Sequence, residues 1–450
     1  MQVKTIAALA TFPAESAIGI IRVSGPLAIK ISCLIFKPSG ARPIKPGMMV
    51  HGIIHDKNTP IDSAMLCVFR KPRSYTGEDM AEFYCHGNPY ILSLVLELLY
   101  SHGATAAGPG EFTKRAFLNG KMDLTQAEAV AELVSAKSGF ALKAALDQLK
   151  GAESRAINGL RKNILRSMSL IETELDMDIS SGKSEALKAA LDSLSIAESL
   201  IKGSEEAIIQ KEGVRAVIAG RPNTGKSSLL NAISGHERAI VTSSAGTTRD
   251  IIEAQAHIGG ILYKLSDTAG IRKWRSHAEK IGIQRAIKAA KSADLLVFVL
   301  DSSKRLGKAD LYSFRAVCGR RTIIALNKSD LRRKITEKQA AVFLGIKPGT
   351  PVISVSAKNG SGIKKLTKAM KDIIIKGEAS DAFVSSRRHR QSLVEAAGCL
   401  KEAVKELCEK RLETAAFSLR QAASCAAAIT GEIGSEQVLE SIFKNFCVGK

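Results

Sequence analysis

The chain has 450 residues, too many for one hydrophobic core, and this length predicts about three domains. Its 65 lysines and arginines outnumber its 44 aspartates and glutamates, and the net charge of +21 favours an anionic partner such as RNA, with solubility alone as the alternative. The eight scattered cysteines and the lack of a long apolar run argue against a zinc ribbon, a disulfide framework and a membrane span, so a cytoplasmic location is expected.

The first part of the chain, up to about residue 119, alternates short apolar runs with proline and glycine clusters. One helical stretch, Tyr90–His102, interrupts these runs. The pattern predicts an α+β domain over residues 1–119. The predicted strands are Gly19–Val23, Ser63–Phe69 and Ala81–Cys85.

Apolar residues then recur at helical spacing from Leu124 to Met177, and the same period returns in Leu393–Leu419 and Glu436–Phe446. Each amphipathic block would expose an apolar face unless the two blocks packed together. We therefore predict one all-α domain made of residues 120–210 and 377–450. The intervening residues 211–376 are expected to form a separate domain inserted into it.

Residues 220–227 read Gly-Arg-Pro-Asn-Thr-Gly-Lys-Ser and fit the Walker A pattern between a predicted strand and a predicted helix. Such glycines let backbone N–H groups close around phosphate oxygens at a helix N-terminus. Lys226 is expected to reach the outer phosphates and Ser227 to ligate Mg²⁺. A second Gly-Lys-Ser, at 182–184, has Met177 where the pattern needs glycine, and we interpret it as a polar linker.

Four more motifs follow in order: Gly246-Thr-Thr-Arg-Asp250, Asp267-Thr-Ala-Gly270, Asn327-Lys-Ser-Asp330 and Ser356-Ala-Lys358. Thr248 is expected to sense the γ-phosphate as the second Mg²⁺ ligand, and Gly270 to donate its N–H to that phosphate. Both residues are therefore expected to take part in catalysis. Asp267 is expected to hold the water shell of the metal.

The later motifs indicate guanine. The Asp330 carboxylate can accept hydrogen bonds from guanine N–H groups, which adenine lacks in that arrangement, while Asn327 and Lys328 brace the pocket. The N–H of Ala357 is expected to donate a hydrogen bond to the guanine oxygen. The sequence thus predicts a Ras-like α/β P-loop domain that binds and hydrolyses GTP. The predicted GTP-binding set is Asn223, Thr224, Gly225, Lys226, Ser227, Ser228, Thr242, Ser243, Ser244, Ala245, Gly246, Thr247, Thr248, Asp267, Thr268, Ala269, Gly270, Asn327, Lys328, Asp330, Ser356, Ala357 and Lys358.

Ile271 stands where many GTPases have the glutamine that orients the attacking water, so another group must act. Arg249 and Arg272 are nearby candidates. The side-chain oxygen of Asn223 could belong to a site for a monovalent cation, or it could simply brace the loop.

The P-loop, the Gly-Thr-Thr-Arg-Asp loop and the final Cys447-Val-Gly-Lys450 resemble the MnmE (TrmE) family of tRNA-modification GTPases. The first third of the chain is similar to the same family. The resemblance therefore covers essentially the whole chain. Its N-terminal runs are Gly19–Gly25, Tyr75–Asp79, Pro109–Phe112 and Ala116–Leu124.

The resemblance implies a homodimer that binds 5-formyl- or 5,10-methylene-tetrahydrofolate through its N-terminal domain, with Arg22, Glu82, Lys121 and Lys450 as folate contacts. It implies a heterotetramer with the FAD-dependent partner MnmG (GidA). Together they would install an aminomethyl-type or carboxymethylaminomethyl group on C5 of the wobble uridine of certain tRNAs. With 5% aromatic residues, the contact with tRNA is expected to be largely electrostatic.

The resemblance also assigns three roles in the later motifs and the tail. A K⁺ site falls on Asn223, Thr242, Ser244 and Thr247, and the acid that orients water falls on Glu279. Cys447 is assigned to the folate site, where the tail would fold back over the pocket.

The chain departs from the family in two places. The acidic run that the family has before the second helical block is reduced to Asp-Met-Asp-Ile-Ser-Ser-Gly at 176–182. The segment 273–277 is unusually basic and holds the single tryptophan, Trp274. Two alternatives are a ribosome-assembly GTPase of the Era or Der type and a folate-binding scaffold with a vestigial P-loop domain. The first would need a KH domain or a second GTPase domain, which the sequence lacks. Intact Lys226, Ser227, Thr248 and Asp267 argue against the second.

Overall fold

The computed structural model describes residues 4–40, 43–177, 183–236, 253–267, 287–319, 321–375, 384–432, 436–444 and 446–450. The chain divides into two compact units. The first unit consists of residues 1–135, 145–197 and 392–450, and the second of residues 136–144 and 198–391. The second unit thus interrupts the first along the chain. The domain boundaries expected from the sequence stay predictions.

The first unit begins with a mostly antiparallel sheet, because apolar and polar residues alternate along its strands. The strands are β1 (Ile6–Leu9), β2 (Ser16–Ser24), β3 (Phe36–Pro38), β4 (Met49–Asp56), β5 (Thr59–Phe69), β6 (Met80–Gly87) and β7 (Thr105–Ala106), in the order β3-β4-β5-β6-β2-β1-β7. Ile21, Leu66 and Phe83 are fully buried in the core of this sheet. The short β7 pairs in parallel with β1.

Three helices accompany this sheet, where the sequence pattern had indicated one: α1 (Ala28–Leu34), α2 (Pro89–Ser101) and α3 (Glu111–Leu118). Only α2 was expected. It begins at Asn88, whose side chain accepts hydrogen bonds from the N–H groups of Tyr90 and Ile91. Helices α1 and α3 span seven and eight residues, too short to show a clear helical period.

Helices then follow without a strand among the described residues up to 201: α4 (Leu124–Ser135), α5 (Gly139–Leu149), α6 (Ala152–Met177) and α7 (Lys183–Ile201). The interpretation of residues 182–184 as linker is wrong in part, because Lys183 and Ser184 lie in the first turn of α7. The helix continues into an alanine-rich amphipathic run, and the buried Ala186 and Ala190 stabilise it by packing.

The second unit is an α/β fold with helices on both faces of a largely parallel sheet. Its order β13-β12-β11-β8-β10-β9 reverses direction at β8, and only β9 runs antiparallel among these strands. The elements are α8 (Ser204–Glu212), β8 (Val214–Gly220), α9 (Lys226–His236), β9 (Glu253–Ile258), β10 (Ile261–Asp267), β11 (Leu295–Asp301), α10 (Lys308–Val317), β12 (Thr322–Asn327), α11 (Glu337–Leu344), β13 (Val352–Ser354) and α12 (Ile363–Ile374).

The register of this sheet places four strand ends at one edge. Asp301 is paired with Asn327, Gly220 with Val299, and Asp267 with Ile218. Ligands of open α/β sheets bind at such a carboxyl edge, beside the strand where the order reverses. Here that strand is β8, which leads into the Walker A loop.

The chain ends in three helices, α13 (Arg387–Cys408), α14 (Leu412–Thr430) and α15 (Glu436–Phe443). Helix α14 packs along α6 within the first unit. Small buried residues such as Ala415, Ala422 and Ala426 let the two helices approach closely.

Candidate nucleotide site and N-terminal cleft

Two glycines let the Walker A loop fold beneath the neighbouring strands. Gly220 has φ +154°, and a Cβ there would lie 2.4 Å from the carbonyl oxygen of Val299. Gly225 has φ +89°, and a Cβ there would lie 2.4 Å from Nδ2 of Asn327. Only glycine satisfies both the space and the backbone angle at these positions. The loop therefore closes tightly enough to present its N–H groups to a phosphate.

The side chains of the loop are held by its own carbonyl groups. Oγ1 of Thr224 donates to the carbonyl oxygen of Arg221 at 2.9 Å, and Nζ of Lys226 donates to the same oxygen at 3.0 Å. Lys226 is buried, whereas Ser227 and Ser228 are exposed in the first turn of α9. This arrangement keeps the ammonium group over the loop and leaves the Ser227 hydroxyl at the surface, which fits a Mg²⁺ ligand.

Asn327 joins the guanine motif to the phosphate loop. Its Nδ2 donates to the carbonyl oxygen of Thr224 at 2.9 Å, and its Oδ1 accepts from the N–H of Ala357 at 3.0 Å. Asn327 is buried. The Ala357 N–H, which was expected to read the guanine oxygen, thus donates to Asn327 in this structure.

Asp330 is poised as an ionised acceptor. Its Oδ1 accepts a hydrogen bond from Oγ of Ser356 at 2.6 Å. This bond, supported by the backbone of Asp330 itself and by the charges of Lys358 and Lys328, holds the pKa of the carboxyl below its usual value. An exposed, ionised carboxylate is the group that a pair of guanine N–H donors requires.

Lys328 connects three strand ends. Its Nζ donates to the carbonyl oxygen of Asn223 at 2.8 Å and to Oδ2 of Asp301 at 2.7 Å. Burial opposes ionisation of Asp301, but hydrogen bonds from Lys328 and Ser303 outweigh it and lower the pKa of that carboxyl. Asp301 was not among the predicted site residues, although its place directly after the apolar run 295–300 was the available signal.

Much of the predicted GTPase chemistry lies outside the described residues. Asp267 ends β10 beside β8, but only its backbone is described. Asn223 has φ +65° and an exposed side chain, which is compatible with a cation ligand. Outside the described residues are Thr242, Ser243, Ser244, Ala245, Gly246, Thr247, Thr248, Arg249, Thr268, Ala269, Gly270, Ile271, Arg272, Trp274 and Glu279, together with the rest of the segment 273–277.

In the first unit, Arg22 and Glu82 face each other across the paired strands β2 and β6. Nε of Arg22 lies 2.8 Å from Oε1 of Glu82, and the Tyr84 hydroxyl donates to Oε2 of Glu82 at 2.8 Å. Burial and the adjacent carboxylate raise the pKa of Tyr84 to about 12, so this hydroxyl stays a donor. Both oxygens of Glu82 are therefore engaged, and the sequence did not reveal Tyr84.

Next to this pair lies a cleft of about 360 Å³. Nζ of Lys121 donates to the carbonyl oxygen of Pro72 at 3.1 Å, and the guanidinium of Arg22 lies 5.6 Å from the centroid of the Tyr75 ring. Aromatic walls with one carboxylate and cations at the rim suit a flat ring with N–H donors and an anionic tail. The lining residues are Phe69, Arg73, Ser74, Tyr75, Met80, Glu82 and Lys121.

The last four residues pack on the N-terminal sheet. Val448 forms an isolated antiparallel bridge with Pro109, and the N–H of Gly110 donates to the carbonyl oxygen of Cys447 at 3.3 Å. Gly449 has φ +91°, and a Cβ there would lie 2.1 Å from the carbonyl oxygen of Leu9. Glycine is therefore required for this close approach of the tail to β1.

Lys450 senses the charge of Arg22. Burial, and then the nearby Arg22 guanidinium, lower the pKa of Lys450, while the Cys447 thiol opposes this effect. Glu82 and Lys121 thus line one cleft, Arg22 pairs with Glu82, and Lys450 lies within electrostatic range of Arg22. The Cys447 thiol is exposed.

Two family models and many relatives match this chain. The family model described as "GTP-binding protein TrmE N-terminus" matches residues 5–121, and the one described as "MnmE helical domain" matches residues 124–447. A tRNA modification GTPase MnmE from Aquifex aeolicus is 41% identical over 453 residues, which cover 99% of both chains. The chain belongs to the MnmE (TrmE) family of tRNA modification GTPases.

Membership in the MnmE family confirms three predictions: the resemblance itself, the fold class with its α+β, helical and P-loop parts, and the assignment as a GTP hydrolase of tRNA modification. The MnmE of Thermotoga petrophila is 38% identical over 99% of this chain and 100% of its own. The solved G domain of the T. maritima FeoB iron transporter is 28% identical, covers 36% of this chain and 99% of its own, and has a TM-score of 0.30, too low to support an inference.

No helix in the described part of the chain combines the length and hydropathy needed to cross a bilayer. Within the same residues, no group of three or more histidine, cysteine and acidic side chains could hold a metal ion.

Proposed function

We propose that this MnmE-family protein is a potassium-activated GTPase of the cytoplasm that works as a homodimer in a heterotetramer with the FAD-dependent MnmG (GidA). Together they install an aminomethyl-type or carboxymethylaminomethyl group on C5 of the wobble uridine of certain tRNAs. The one-carbon donor is 5-formyl- or 5,10-methylene-tetrahydrofolate. The observation that carries this proposal is the tail, which packs closely on Leu9 of β1, pairs with Pro109 and accepts a hydrogen bond from Gly110, so that Lys450 lies on the sheet that carries the cleft.

Different residues at the cleft would bind different parts of a folate. Glu82 accepts hydrogen bonds from the pterin N–H groups, sharing or exchanging its present bonds with Arg22 and Tyr84. Lys121 and Lys450 supply positive charge for the glutamate carboxylates. When bound, the folate supplies the one-carbon unit for the uridine. The tail excludes water from one side of the cleft and holds the Cys447 thiol near it.

The nucleotide site binds and orients GTP through groups that are already fixed. Lys226 would neutralise charge on the outer phosphates, the exposed Ser227 hydroxyl would hold Mg²⁺, and Asp330 would select guanine. A K⁺ ion at Asn223 would supply positive charge to the phosphates, in the role that an arginine has in other GTPases. Glu279 orients the attacking water.

The tRNA itself tests the proposal. Nucleosides from a strain lacking this gene should lose the C5-substituted wobble uridine, and the intact gene should restore it. Lys450→Ala should restore it poorly, because the cleft loses a cation, while Lys444→Ala, an exposed lysine just before the tail, should restore it fully. An unchanged nucleoside profile in the deletion strain would reject the proposed function.

The cation requirement has its own test. GTP turnover should fall by about 10²-fold when K⁺ is replaced by Na⁺ at equal ionic strength, because a group that stabilises transition-state charge is lost. Association of the G domains should likewise need K⁺ together with a γ-phosphate or its transition-state mimic. Equal turnover in the two salts would return Asn223 to a loop-bracing role.

A further inference from the structure

Two loops of the second unit bring exposed cations together beside the guanine site. Lys304 and Arg305 follow β11, and Arg332 and Arg333 follow the guanine motif. The N–H of Lys334 donates to the carbonyl oxygen of Ser302 at 2.8 Å, so the two loops are in contact. The side chains of residues 304, 305 and 332–334 are all exposed. We call this surface, together with Lys308, the basic face.

The acidic groups near the basic face are already engaged elsewhere. Residues 301–347 without residue 320 hold eleven lysines and arginines against four acidic residues, so the region carries a large positive excess. Each of the four acidic side chains has a partner outside the basic face. Asp301 pairs with Lys328 and Asp310 with Arg221, while Asp330 accepts a hydrogen bond from Ser356 and Glu337 accepts one from Ser354. Among the described residues, none forms an ion pair with the cations of the basic face. Such uncompensated charge favours a polyanion.

Helix α10 adds an aromatic group to the edge of the basic face. Lys308, Leu311, Tyr312 and Arg315 follow one another at helical spacing and line a shallow groove of about 350 Å³. Tyr312 is 51% exposed, although an aromatic side chain gains free energy from burial. A tyrosine between two cations is a platform on which an unpaired base can stack.

We propose that the basic face binds the phosphate backbone of tRNA while an unpaired base stacks on Tyr312. The identity of the RNA as tRNA rests on the proposed function. Protein interfaces are depleted of lysine and have an apolar centre, whereas this surface is rich in lysine and arginine around one aromatic ring. RNA phosphates match that composition better than an acidic protein does.

The position of the basic face links RNA binding to the nucleotide. The N–H of Ser302 donates to the carbonyl oxygen of Asn327 at 2.9 Å, and the preceding Asp301 pairs with Lys328. RNA bound by Lys304 and Arg305 therefore contacts residues three and four positions after Asp301, which pairs with Lys328 of the guanine motif. The backbone supplies a direct connection from one ligand to the other.

The test compares two triple variants of the full-length protein. Lys304→Glu/Arg305→Glu/Arg333→Glu removes three cations of the basic face, and Lys364→Glu/Lys365→Glu/Lys368→Glu makes the same charge change on exposed positions of α12. Binding to an unmodified tRNA transcript is followed by fluorescence anisotropy at several KCl concentrations. The first variant should bind at least about tenfold more weakly, and its salt slope should fall by about two to three. The α12 variant should stay within about threefold of wild type.

Equal loss in both variants, or wild-type affinity in the first, would overturn the proposal. The proposal would also be overturned if the basic-face variant bound tRNA normally but no longer bound the FAD-dependent partner, since the surface would then belong to a protein interface. Tyr312→Ala should weaken binding by about tenfold and Tyr312→Phe much less, because stacking needs only the ring. Unchanged GTP turnover in each variant shows that the fold is intact.

This inference and the proposed function can fail separately. A wild-type protein that binds tRNA through the basic face, in a cell whose tRNA does not depend on the gene, would reject only the proposed function. If the wild-type protein modifies tRNA normally and the basic-face variant binds tRNA as tightly as wild type, only the inference is rejected.

Discussion

The nucleotide site and the N-terminal cleft hold their polar groups in different ways. In the nucleotide site, Lys226 and Asn327 donate to backbone carbonyl groups of the loop itself. In the cleft, Glu82 is bonded to two side chains, those of Arg22 and Tyr84. A side chain anchored to the backbone is oriented before its ligand arrives, whereas a carboxylate engaged by two side chains must share or exchange partners when a ligand binds.

The two sites also differ in how the chain builds them. The nucleotide groups stand at the ends of neighbouring parallel strands, so each motif is contiguous in sequence. The cleft region combines residues 82 and 121 with the neighbouring Arg22 and with the tail that ends at Lys450, which antiparallel pairing and the docked tail bring together. This region therefore depends on the docking of the last residues, whereas the nucleotide motifs do not.

The largest expected effect comes from a substitution that removes one activity and leaves the other intact. Cys447→Ser should abolish tRNA modification and leave GTP turnover unchanged, because Cys447 belongs to the first unit, as the cleft does, and the phosphate loop belongs to the second. Cys408→Ser, an equally exposed thiol at the end of α13, should affect neither activity. Nucleoside analysis and phosphate release measure the two activities. Normal modification by the Cys447 variant would remove this thiol from the mechanism.

On the nucleotide side, Glu279→Ala should lower GTP turnover by about 10²-fold or more, the range expected for a positioned acid or base. The affinity for GTP should stay nearly constant, since the phosphate loop and the guanine motif are untouched. Single-turnover hydrolysis and calorimetric titration separate the two quantities. Turnover at the wild-type rate would instead direct attention to Arg249 or Arg272.

Substitutions in the guanine motif should have a smaller effect than the two substitutions above. Asp330→Asn should weaken GTP binding by about 30-fold or more and shift preference toward xanthine nucleotides, because the amide presents a donor where guanine also has donors. Ser356→Ala should weaken GTP binding by only about fivefold, since it removes the hydrogen bond that orients the carboxylate. Calorimetry with both nucleotides measures this. An Asp330→Asn protein with unchanged GTP affinity would refute the guanine assignment.

The smallest expected effect is a shift in one pKa. Lys450 has a pKa below its ordinary value of 10.5 because of burial and the charge of Arg22. The docked tail then binds fewer protons than the released tail, so docking should strengthen as the pH rises from the lowered pKa toward 10.5.

Arg22→Ala should raise the pKa of Lys450, and Arg22→Lys should leave it low, because the second variant keeps the charge. NMR titration of the Lys450 side chain provides the measurement. An identical pKa in both variants would show that the tail does not sense Arg22.

The sequence could predict the loops of the nucleotide site because glycines and phosphate-binding side chains occur there in fixed local order. It could predict β2, β5 and β6 of the first sheet and most long helices from periodicity. It missed α1 and α3, since seven or eight residues hardly define a helical period, and it assigned Lys183 to a linker although a helix begins there. Asp301 and Tyr84 were missed because their roles come from partners distant in sequence.

The ammonium group of Lys328 has a consequence for the residence time of the nucleotide. One group bridges the Asn223 carbonyl in the phosphate loop and the Asp301 carboxylate beside the guanine motif. A partner protein that displaced the Lys328 side chain would weaken binding of the base and of the phosphates in the same step. Exchange of GDP for GTP would then proceed in a single kinetic phase, which stopped-flow release of a fluorescent nucleotide can resolve, rather than by base release followed by phosphate release.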